Sequence, residues 1–390
     1  MKRFYFTTIV LLVTICINAT GWVWDVNLMY SHAKDPTVAD AVAGIIRDAD
    51  KQLLNPCPTV MDKQAVAPSG DKHDYYSMAR YWWPNPETDN GLPYVRRDGK
   101  VNSETKDLDR ENLGSFEKML RVYALAYFFS GREDYADKGW EILRTWFINK
   151  KTRMNPSMEY SQVRMGHNDN HGSNSGLLDG YSFMIVPDAV QILSKAKCAK
   201  KKDIDAIQTW FKTYLHWMLT SPQGIKENKA KNNHGTAYHI QVAVYAAFVA
   251  NDSIADAYRR SFAQQRIYPQ VADDGRQPEE LVRTRALGYS CYNLKHYLDM
   301  IDFCRLQGDD LLSDSRVKKS VISAIDFLVP YLGKPVSAWP FQQIADWEKE
   351  QQNLCWILYR ADRYFPEKGY KDLFYQYSKA KSKDRNFLLY

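Results

Sequence analysis

Apolar residues recur at helical spacing along most of the chain. Residues 38–54 are an example, because their apolar side chains fall every three or four positions and would share one helix face. The same pattern predicts helices over residues 108–129, 135–147, 177–197, 203–219, 242–250, 254–262, 292–306, 317–332 and 346–364. Few segments alternate apolar and polar residues as a half-buried strand does. The pattern therefore predicts an all-α protein.

Short polar joints connect these helices in pairs. Residues 130–134 contain a glycine that can end one helix and polar residues that can cap the next. Similar joints lie at residues 251–253 and 307–310. Helix hairpins repeated over most of a chain form either a superhelical solenoid or an α/α toroid. No fixed-period repeat is evident, which argues against a regular repeat array.

Residues 55–106 interrupt the helical pattern with many Pro, Gly and Asp residues. Tyr81, Trp82 and Trp83 follow one another there, with Lys72 and Arg80 nearby. Aromatic residues make up 14% of the chain, which fits a protein that stacks sugar rings on its side chains. Tyr and Trp also fill helix interfaces. The segment is therefore either a sugar-stacking platform or a loop that buries its own tryptophans.

The first residues have the features of a signal peptide. Lys2 and Arg3 precede a short apolar run over residues 4–17, and residues 18–20 offer small side chains for cleavage. We expect residues 1–19 to be removed on export, most simply to the periplasm, and residues 20–390 to form a single domain. No later segment is apolar for long enough to span a membrane, so we expect no membrane anchor.

Charge and cysteine content narrow the possible partners. The formal net charge is +6, which favours an anionic polymer through the field of the whole protein. No basic helix or recognised motif indicates nucleic-acid binding. The five cysteines beyond residue 19 are scattered and odd in number, so they form no full disulfide framework, and their spacing indicates no metal site. We expect no metal and no cofactor.

Three polar clusters are candidates for the chemistry. Asn233 and His234 precede an apolar segment, where a helix dipole would favour an anion, although an ordinary helix cap is the alternative. Arg285 and Tyr292 are seven residues apart and would share one face of a continuous helix, unless Gly288 interrupts it. Residues 164–174, which include His167, would line a cleft or form a polar surface loop.

These segments together resemble the helical-toroid alginate lyases, which span polysaccharide lyase families five and thirty-eight. The resemblance covers residues 72–308 and implies an incomplete α/α toroid with a deep cleft. Gly288 and Ser290 stand where family-five enzymes usually carry Ala and His, which leaves the preferred polymer open. The motifs that carry the resemblance are Lys-His-Asp-Tyr, Tyr-Trp-Trp-Pro-Asn-Pro, Gly-Leu-Pro-Tyr-Val-Arg-Arg, Asn-Asn-His and Arg-Ala-Leu-x-Tyr-x-x-Tyr.

The resemblance implies metal-independent β-elimination on a 4-linked uronate polymer, most simply mannuronate-containing alginate. By position, Asn233, His234 and Arg285 match residues that neutralise the substrate carboxylate, and Tyr292 matches the tyrosine that moves the proton. A nearby arginine is expected to lower the pKa of this tyrosine. The candidates for substrate binding are Lys72, His73, Tyr75, Arg80, Trp82, Trp83, His167 and Tyr238.

Three alternatives stay open. The first is a glucuronan lyase of the same fold. The second is a glycoside hydrolase on an α/α toroid, which would need two facing carboxylates from candidates such as Asp74, Asp169, Asp179, Glu279 and Glu280. The third is a non-catalytic sugar-binding protein, which would keep the tryptophans but has no need for the Asn-His-Arg-Tyr set. We expect the protein to act as a monomer.

Overall fold

The computed structural model describes residues 21–106 and 108–390, so the predicted signal peptide lies outside the described residues. The predicted all-α fold is confirmed, and it is an incomplete toroid of antiparallel helix pairs. Its α-helices are α1 Val26–His32, α2 Ala39–Gln52, α3 Asp109–Ser130, α4 Glu133–Phe147, α5 Val186–Leu193, α6 Lys201–Thr220, α7 Pro222–Asn228, α8 Asn233–Phe248, α9 Asp252–Phe262, α10 Tyr268–Gln270, α11 Pro278–Leu281, α12 Ala286–Leu306, α13 Ser315–Asp326, α14 Trp347–Ala361 and α15 Tyr370–Tyr377.

The helix pairs follow from their joints. Helix α3 ends at Gly131, whose left-handed φ of 67° suits a residue without a side chain, and its N–H donates to Tyr127 O at 2.8 Å. Helix α9 begins where the Asn251 side chain accepts from Ile254 N at 3.3 Å. Helix α3 packs against α4, and helix α8 packs against α9. Helix α12 packs against both α8 and α14.

Two small sheets lie beside the helices, in the segment predicted to be irregular and just after α4. Strand β1 Tyr76–Met78 pairs in parallel with β4 Tyr160–Val163. Strand β2 Trp82–Trp83 pairs antiparallel with β3 Val95–Arg96. Because neighbouring side chains of a strand point to opposite faces, the two tryptophans of β2 are directed to different surroundings.

Much of the aromatic content lies in the hydrophobic core, which joins side chains from Trp24 to Leu389 in one cluster. Trp140 and Trp146 are fully buried, and each indole N–H donates to a main-chain oxygen, that of Leu193 at 3.0 Å and that of Pro58 at 2.9 Å. Buried indoles need such partners. The aromatic excess therefore serves the core as well as any sugar-binding surface.

Four predicted helices differ clearly from the structure in their boundaries, and one of them is α13, which ends at Asp326 rather than near residue 332. Helix α8 begins at Asn233 rather than near residue 242, because it is buried on nearly all sides and its sequence lacks a polar face. Helix α12 begins at Ala286 and runs through Gly288 without interruption. The predicted helix over residues 177–197 is instead a 3₁₀ segment, Asn174–Ile185, followed by α5. Gly176 and Gly180 pack there without room for a side chain.

The described part of the chain contains no helix long and apolar enough to cross a membrane. Its five cysteines are free. Among the same residues, no group of three or more His, Cys, Asp or Glu side chains is arranged to hold a metal ion.

Candidate active site

A cleft of about 890 Å³ opens where β2, the starts of α8 and α12, and one face of α14 meet. Its lining is strongly cationic, and Glu350 is the one carboxylate among the described residues that line it. Low-dielectric walls that carry one sign of charge concentrate ligands of the opposite sign. The lining cations are Arg80, Arg96, Arg110, Arg164, Arg283, Arg285, Lys295, Lys349 and Arg360.

His234 lies in the first turn of α8 and lines the cleft. Its Nδ1 is 2.7 Å from Oε1 of Glu227, whose side chain is fully buried. The other oxygen of Glu227 accepts from Asn174 Nδ2 at 2.6 Å. A carboxylate at Nδ1 keeps a proton on that nitrogen and leaves Nε2 for a ligand. Glu227 therefore orients the ring and sets its tautomer.

Asn233 is fully buried beneath the cleft. Its main-chain N–H donates to Oε1 of Glu280 and its Nδ2 donates to Oε2, each at 2.6 Å. Burial raises the pKa of Glu280 to about 7, while the hydrogen bonds from Asn233 act in the opposite direction. Asn233 thus ties the start of α8 to α11, and its direct contact with a substrate carboxylate stays a prediction.

Arg285 and Tyr292 both line the cleft, but the predicted shared helix face needs correction. Arg285 precedes α12 as its N-cap residue, in a non-helical backbone conformation, whereas Tyr292 lies in the second turn. Arg285 Nη2 donates to Glu350 Oε1 at 2.9 Å and also to Asp346. Gly288 makes this arrangement possible, because a Cβ there would lie 2.8 Å from Cδ of Glu350.

The phenol of Tyr292 lies in an environment that opposes its ionisation. Burial raises its pKa above the ordinary value of 10, and this effect outweighs the expected lowering by an arginine. Arg110 acts in the opposite direction, and Asp179, which pairs with Arg110 at 3.2 Å, raises the pKa further. Within the described residues, the hydroxyl of Tyr292 makes no hydrogen bond. It is therefore available to a substrate.

Two of the predicted substrate-binding residues are inside the protein. The hydroxyl of Tyr75 donates to Asp179 Oδ2 at 3.0 Å, and that of Tyr238 donates to Met218 O at 2.9 Å. Each side chain is about 1% exposed. Both hydroxyls are satisfied internally, so we leave these residues out of the proposed substrate contacts.

The predicted sugar-stacking platform divides into two parts. Arg80 and Trp82 line the cleft, and Arg164 lies over the Trp82 ring at 4.7 Å. His167 supports that ring edge-on at 5.0 Å. Trp83 instead points away from the cleft and donates its indole N–H to Lys100 O at 3.1 Å.

Lys72 and His73 are held away from the cleft by main-chain oxygens. Lys72 Nζ donates to Met61 O at 2.9 Å, and His73 Nδ1 lies 2.7 Å from Arg153 O. Both contacts anchor the loop that precedes β1. A role for either residue in substrate binding stays a prediction without a contact in the cleft.

Sequence analysis did not connect one cleft residue and two buried carboxylates beneath the cleft with the candidate site. Arg110 lies in the first turn of α3, and Glu227 and Glu280 come from α7 and α11. Arg110 and Glu280 act on residues far away in the chain, whereas Glu227 acts on His234 only seven residues later but from a different helix. Residues 164–174 were considered as a cleft lining, and Arg164 and Asn174 do line the cleft.

Comparison with known proteins agrees with this geometry. The family profile described as alginate lyase matches residues 59–339. The crystal structure of an alginate lyase from Bacteroides ovatus is 41% identical, covers 95% of this chain and 99% of its own, and superposes with a TM-score of 0.92. Alginate lyase A1-III from Sphingomonas species A1 is 16% identical, with 92% and 97% covered and a TM-score of 0.58, and so shows the fold alone. No curated protein matches the chain.

The helical toroid and its cationic cleft define the class, which is that of the polysaccharide lyases. The family profile spans well over half of the chain, and the Bacteroides ovatus enzyme is similar over nearly the whole of it. The chain belongs to the alginate lyase family, as the sequence motifs predict.

Proposed function

We propose that this polysaccharide lyase cleaves mannuronate-containing alginate by metal-independent β-elimination, leaving an unsaturated uronate end. The observation that carries the proposal is the meeting of His234, Arg285 and Tyr292 on one cationic cleft, although they come from the starts of two helices. The family supports a lyase acting on alginate. A variant of alginate lyase A1-III has been solved with a tetrasaccharide, and it has the same fold.

The first task of the site is to neutralise the uronate carboxylate. The proton on C5 is poorly acidic while that carboxylate is charged, so cations placed beside it stabilise the enolate-like transition state. Arg285 contacts Asp346 and Glu350 through Nη2, which leaves its other guanidinium nitrogens for the substrate. His234 offers Nε2 from the opposite helix start. We assign carboxylate neutralisation to these two residues.

The second task is proton transfer between C5 and O4. In mannuronate both atoms lie on one side of the ring, so one group can take the C5 proton and then donate it to the leaving oxygen. Tyr292 fits this role because its hydroxyl is free within the described residues and Arg110 favours its phenolate. Burial raises the pKa of Tyr292, so the resting side chain is the phenol. Activity on mannuronate should therefore rise with pH as the phenolate fraction grows.

Guluronate requires a separate base, because its C5 proton lies on the opposite side of the ring from O4. His234 fits that role through Nε2, since Glu227 holds the proton on Nδ1. Tyr292 would then act only as the acid. The same cleft could thus cleave both polymers, and cleavage of polyguluronate would depend more strongly on Glu227.

We also propose that the chain is exported, reaches the periplasm and acts there as a monomer with a single domain. The signal-peptide features of residues 1–19 support export. The continuous core of the described residues supports a single domain.

The test is an absorbance assay with four polymers: polymannuronate, polyguluronate, glucuronan and a neutral glucan. β-Elimination creates a C4=C5 double bond that absorbs in the ultraviolet, so we expect absorbance to rise fastest with polymannuronate. A rise of absorbance with glucuronan alone would show that glucuronan, and not alginate, is the substrate. New reducing ends without absorbance would indicate hydrolysis and overturn the proposal.

A further inference from the structure

A second depression, of about 450 Å³, lies between α2 and the chain that follows α15. Its lining is rich in cations, and two carboxylates, Asp48 and Asp384, accompany them. We call this depression the basic groove. Its cationic residues are Arg47, Lys51, Lys379, Lys381, Lys383 and Arg385.

Contacts at every fourth residue of α2 build the basic groove. Asp40 accepts from Ser382 Oγ at 2.6 Å, and Asp48 pairs with Arg385 at 3.5 Å. Between them, the main chain of Lys383 lies so close to Gly44 that a Cβ on the glycine would meet Lys383 O at 3.3 Å. Residues four apart lie on one helix face, so the end of the chain is fixed along α2.

The charges of the basic groove are largely unbalanced. Arg47, Lys51, Lys381 and Lys383 are exposed and form no ion pair with any described residue. Neither carboxylate of the groove neutralises these four cations. Asp48 pairs with Arg385, and the Asp384 side chain accepts a hydrogen bond from Asn386 N at 3.0 Å. Neighbouring like charges repel one another, which destabilises the protein. A bound polyanion would replace this repulsion with attraction.

The basic groove and the active-site cleft are lined by consecutive residues near the end of the described chain. Arg385 lines the groove, and the next residue, Asn386, lines the cleft. Tyr390 also lines the cleft, where its ring lies 4.4 Å from the guanidinium of Arg360. A single 3₁₀ segment, Arg385–Leu388, therefore separates the two depressions. Cations lie on both sides of it.

We propose that the basic groove binds a distal segment of the same anionic polysaccharide whose cleaved bond lies in the cleft. This inference rests on the proposed function, because a uronate polymer carries a carboxylate on every sugar and is long enough to occupy both depressions. No aromatic side chain is among the described residues that line the groove, so bases of a nucleic acid would have no stacking surface. The groove thus raises affinity for long chains and is not needed for short ones.

The experiment compares two triple variants of equal charge change. One is Lys51→Gln, Lys381→Gln, Lys383→Gln in the groove. The matched control is Lys202→Gln, Lys212→Gln, Lys319→Gln, which removes exposed cations elsewhere. We expect the groove variant alone to raise KM for long polymannuronate about fivefold at low salt, with KM for a tetramannuronate unchanged. The difference should disappear at high salt, which screens exposed charges.

Native electrophoresis through gels that contain polymannuronate measures binding independently of turnover. The groove variant should be retarded less than the control variant. Equal retardation, or an equal rise of KM in the control variant, would overturn the inference. Stronger retardation of the wild-type protein by a polynucleotide at the same salt concentration would also overturn it. Failure of the proposed function would instead show as wild-type protein that leaves polymannuronate uncleaved.

Discussion

The starts of α8 and α12 face the same cleft, yet they hold their functional side chains differently. At α8, buried carboxylates fix both polar residues, since Glu227 holds His234 and Glu280 holds Asn233. At α12, the hydroxyl of Tyr292 has no partner among the described residues, and burial keeps it protonated. One wall is therefore organised before the substrate arrives. The other wall holds a proton donor whose partner is the substrate itself.

One tyrosine from each of these two helices illustrates the difference. Tyr238 and Tyr292 both lie one or two turns into a helix. The hydroxyl of Tyr238 donates to Met218 O inside the protein, whereas that of Tyr292 is left for the cleft. Tyr238 is fully buried, whereas Tyr292 is only partly buried and lines the cleft. The free hydroxyl identifies Tyr292 as the functional one.

For the α8 side of the cleft, the largest effect on kcat is expected from Glu227→Gln. Loss of the carboxylate releases His234 from its tautomer and orientation, so kcat should fall on the order of 10²-fold. The fall should be greater on polyguluronate than on polymannuronate, because only guluronate needs His234 as the base. Steady-state absorbance assays on both polymers measure it.

Glu279→Gln is the matched control for this change, because Glu279 is exposed on the adjoining helix α11. It should leave kcat at the wild-type value. A Glu227→Gln enzyme with kcat within twofold of wild type on polyguluronate would remove Glu227 and His234 from the proton transfer.

A smaller effect is expected from Trp82→Ala. Trp82 lines the cleft beneath Arg164, so its loss should raise KM about tenfold with little change of kcat. Trp83→Ala removes the same side chain one residue along, where the indole donates to Lys100 O outside the cleft. KM should then stay at the wild-type value. Equal KM values for the two variants would contradict the assignment of substrate binding to Trp82 and not to Trp83.

Tyr238→Phe should affect stability and leave catalysis alone. The change removes one buried hydrogen bond, so the free energy of unfolding should fall by about 1 kcal/mol. Urea denaturation measures that loss, and the absorbance assay should give an unchanged kcat. A tenfold loss of kcat without loss of stability would instead return Tyr238 to the substrate-binding residues.

A second effect on stability, and one without a direct effect on catalysis, is a pH dependence at Glu280. Its pKa is about 7 in the folded protein against 4.5 for an ordinary glutamate, so it binds its proton more tightly when folded. Its contribution to stability is therefore present at low pH and is lost as pH rises from 4.5 to about 7. Between about pH 5 and about pH 8, Glu280→Gln should gain up to about 3 kcal/mol of unfolding free energy relative to wild type.

Urea denaturation of both proteins at the two pH values gives this difference directly. The other titrating groups are common to both proteins and cancel in the subtraction. A difference that stays constant with pH would show that Glu280 titrates as an ordinary glutamate. A difference that moves in favour of wild type would show that its pKa is lowered.

The helix pairs could be predicted because most helices have one apolar face, and periodicity detects that contrast. The first turns of α8 could not, because both its apolar and its polar side chains are buried. The 3₁₀ segment Asn174–Ile185 was likewise missed. It depends on the close packing of Gly176 against Ser161, which lies in strand β4 and not in the segment itself.

The candidate site was partly accessible from the sequence. The segments around His234 and Tyr292 could be recognised because each motif is local, and the structure places both residues on one cleft. Arg110 and Glu227 were missed, and Glu280 was named only as a candidate carboxylate for hydrolysis, because their effects act through space between different helices. Likewise, the sequence does not show that Trp83 faces away from the cleft, because that follows from the pairing of β2 with β3.

The most direct test of the account is Tyr292→Phe, followed with polymannuronate in two assays on one preparation. Calorimetry should show tetramannuronate binding within about threefold of wild type, because the hydroxyl holds no hydrogen bond in the described protein. The absorbance assay should show kcat reduced at least about 10³-fold, because the proposed mechanism assigns proton transfer at both C5 and O4 to this hydroxyl. Turnover within about tenfold of wild type, in a variant that still binds, would contradict the assignment of proton transfer to Tyr292.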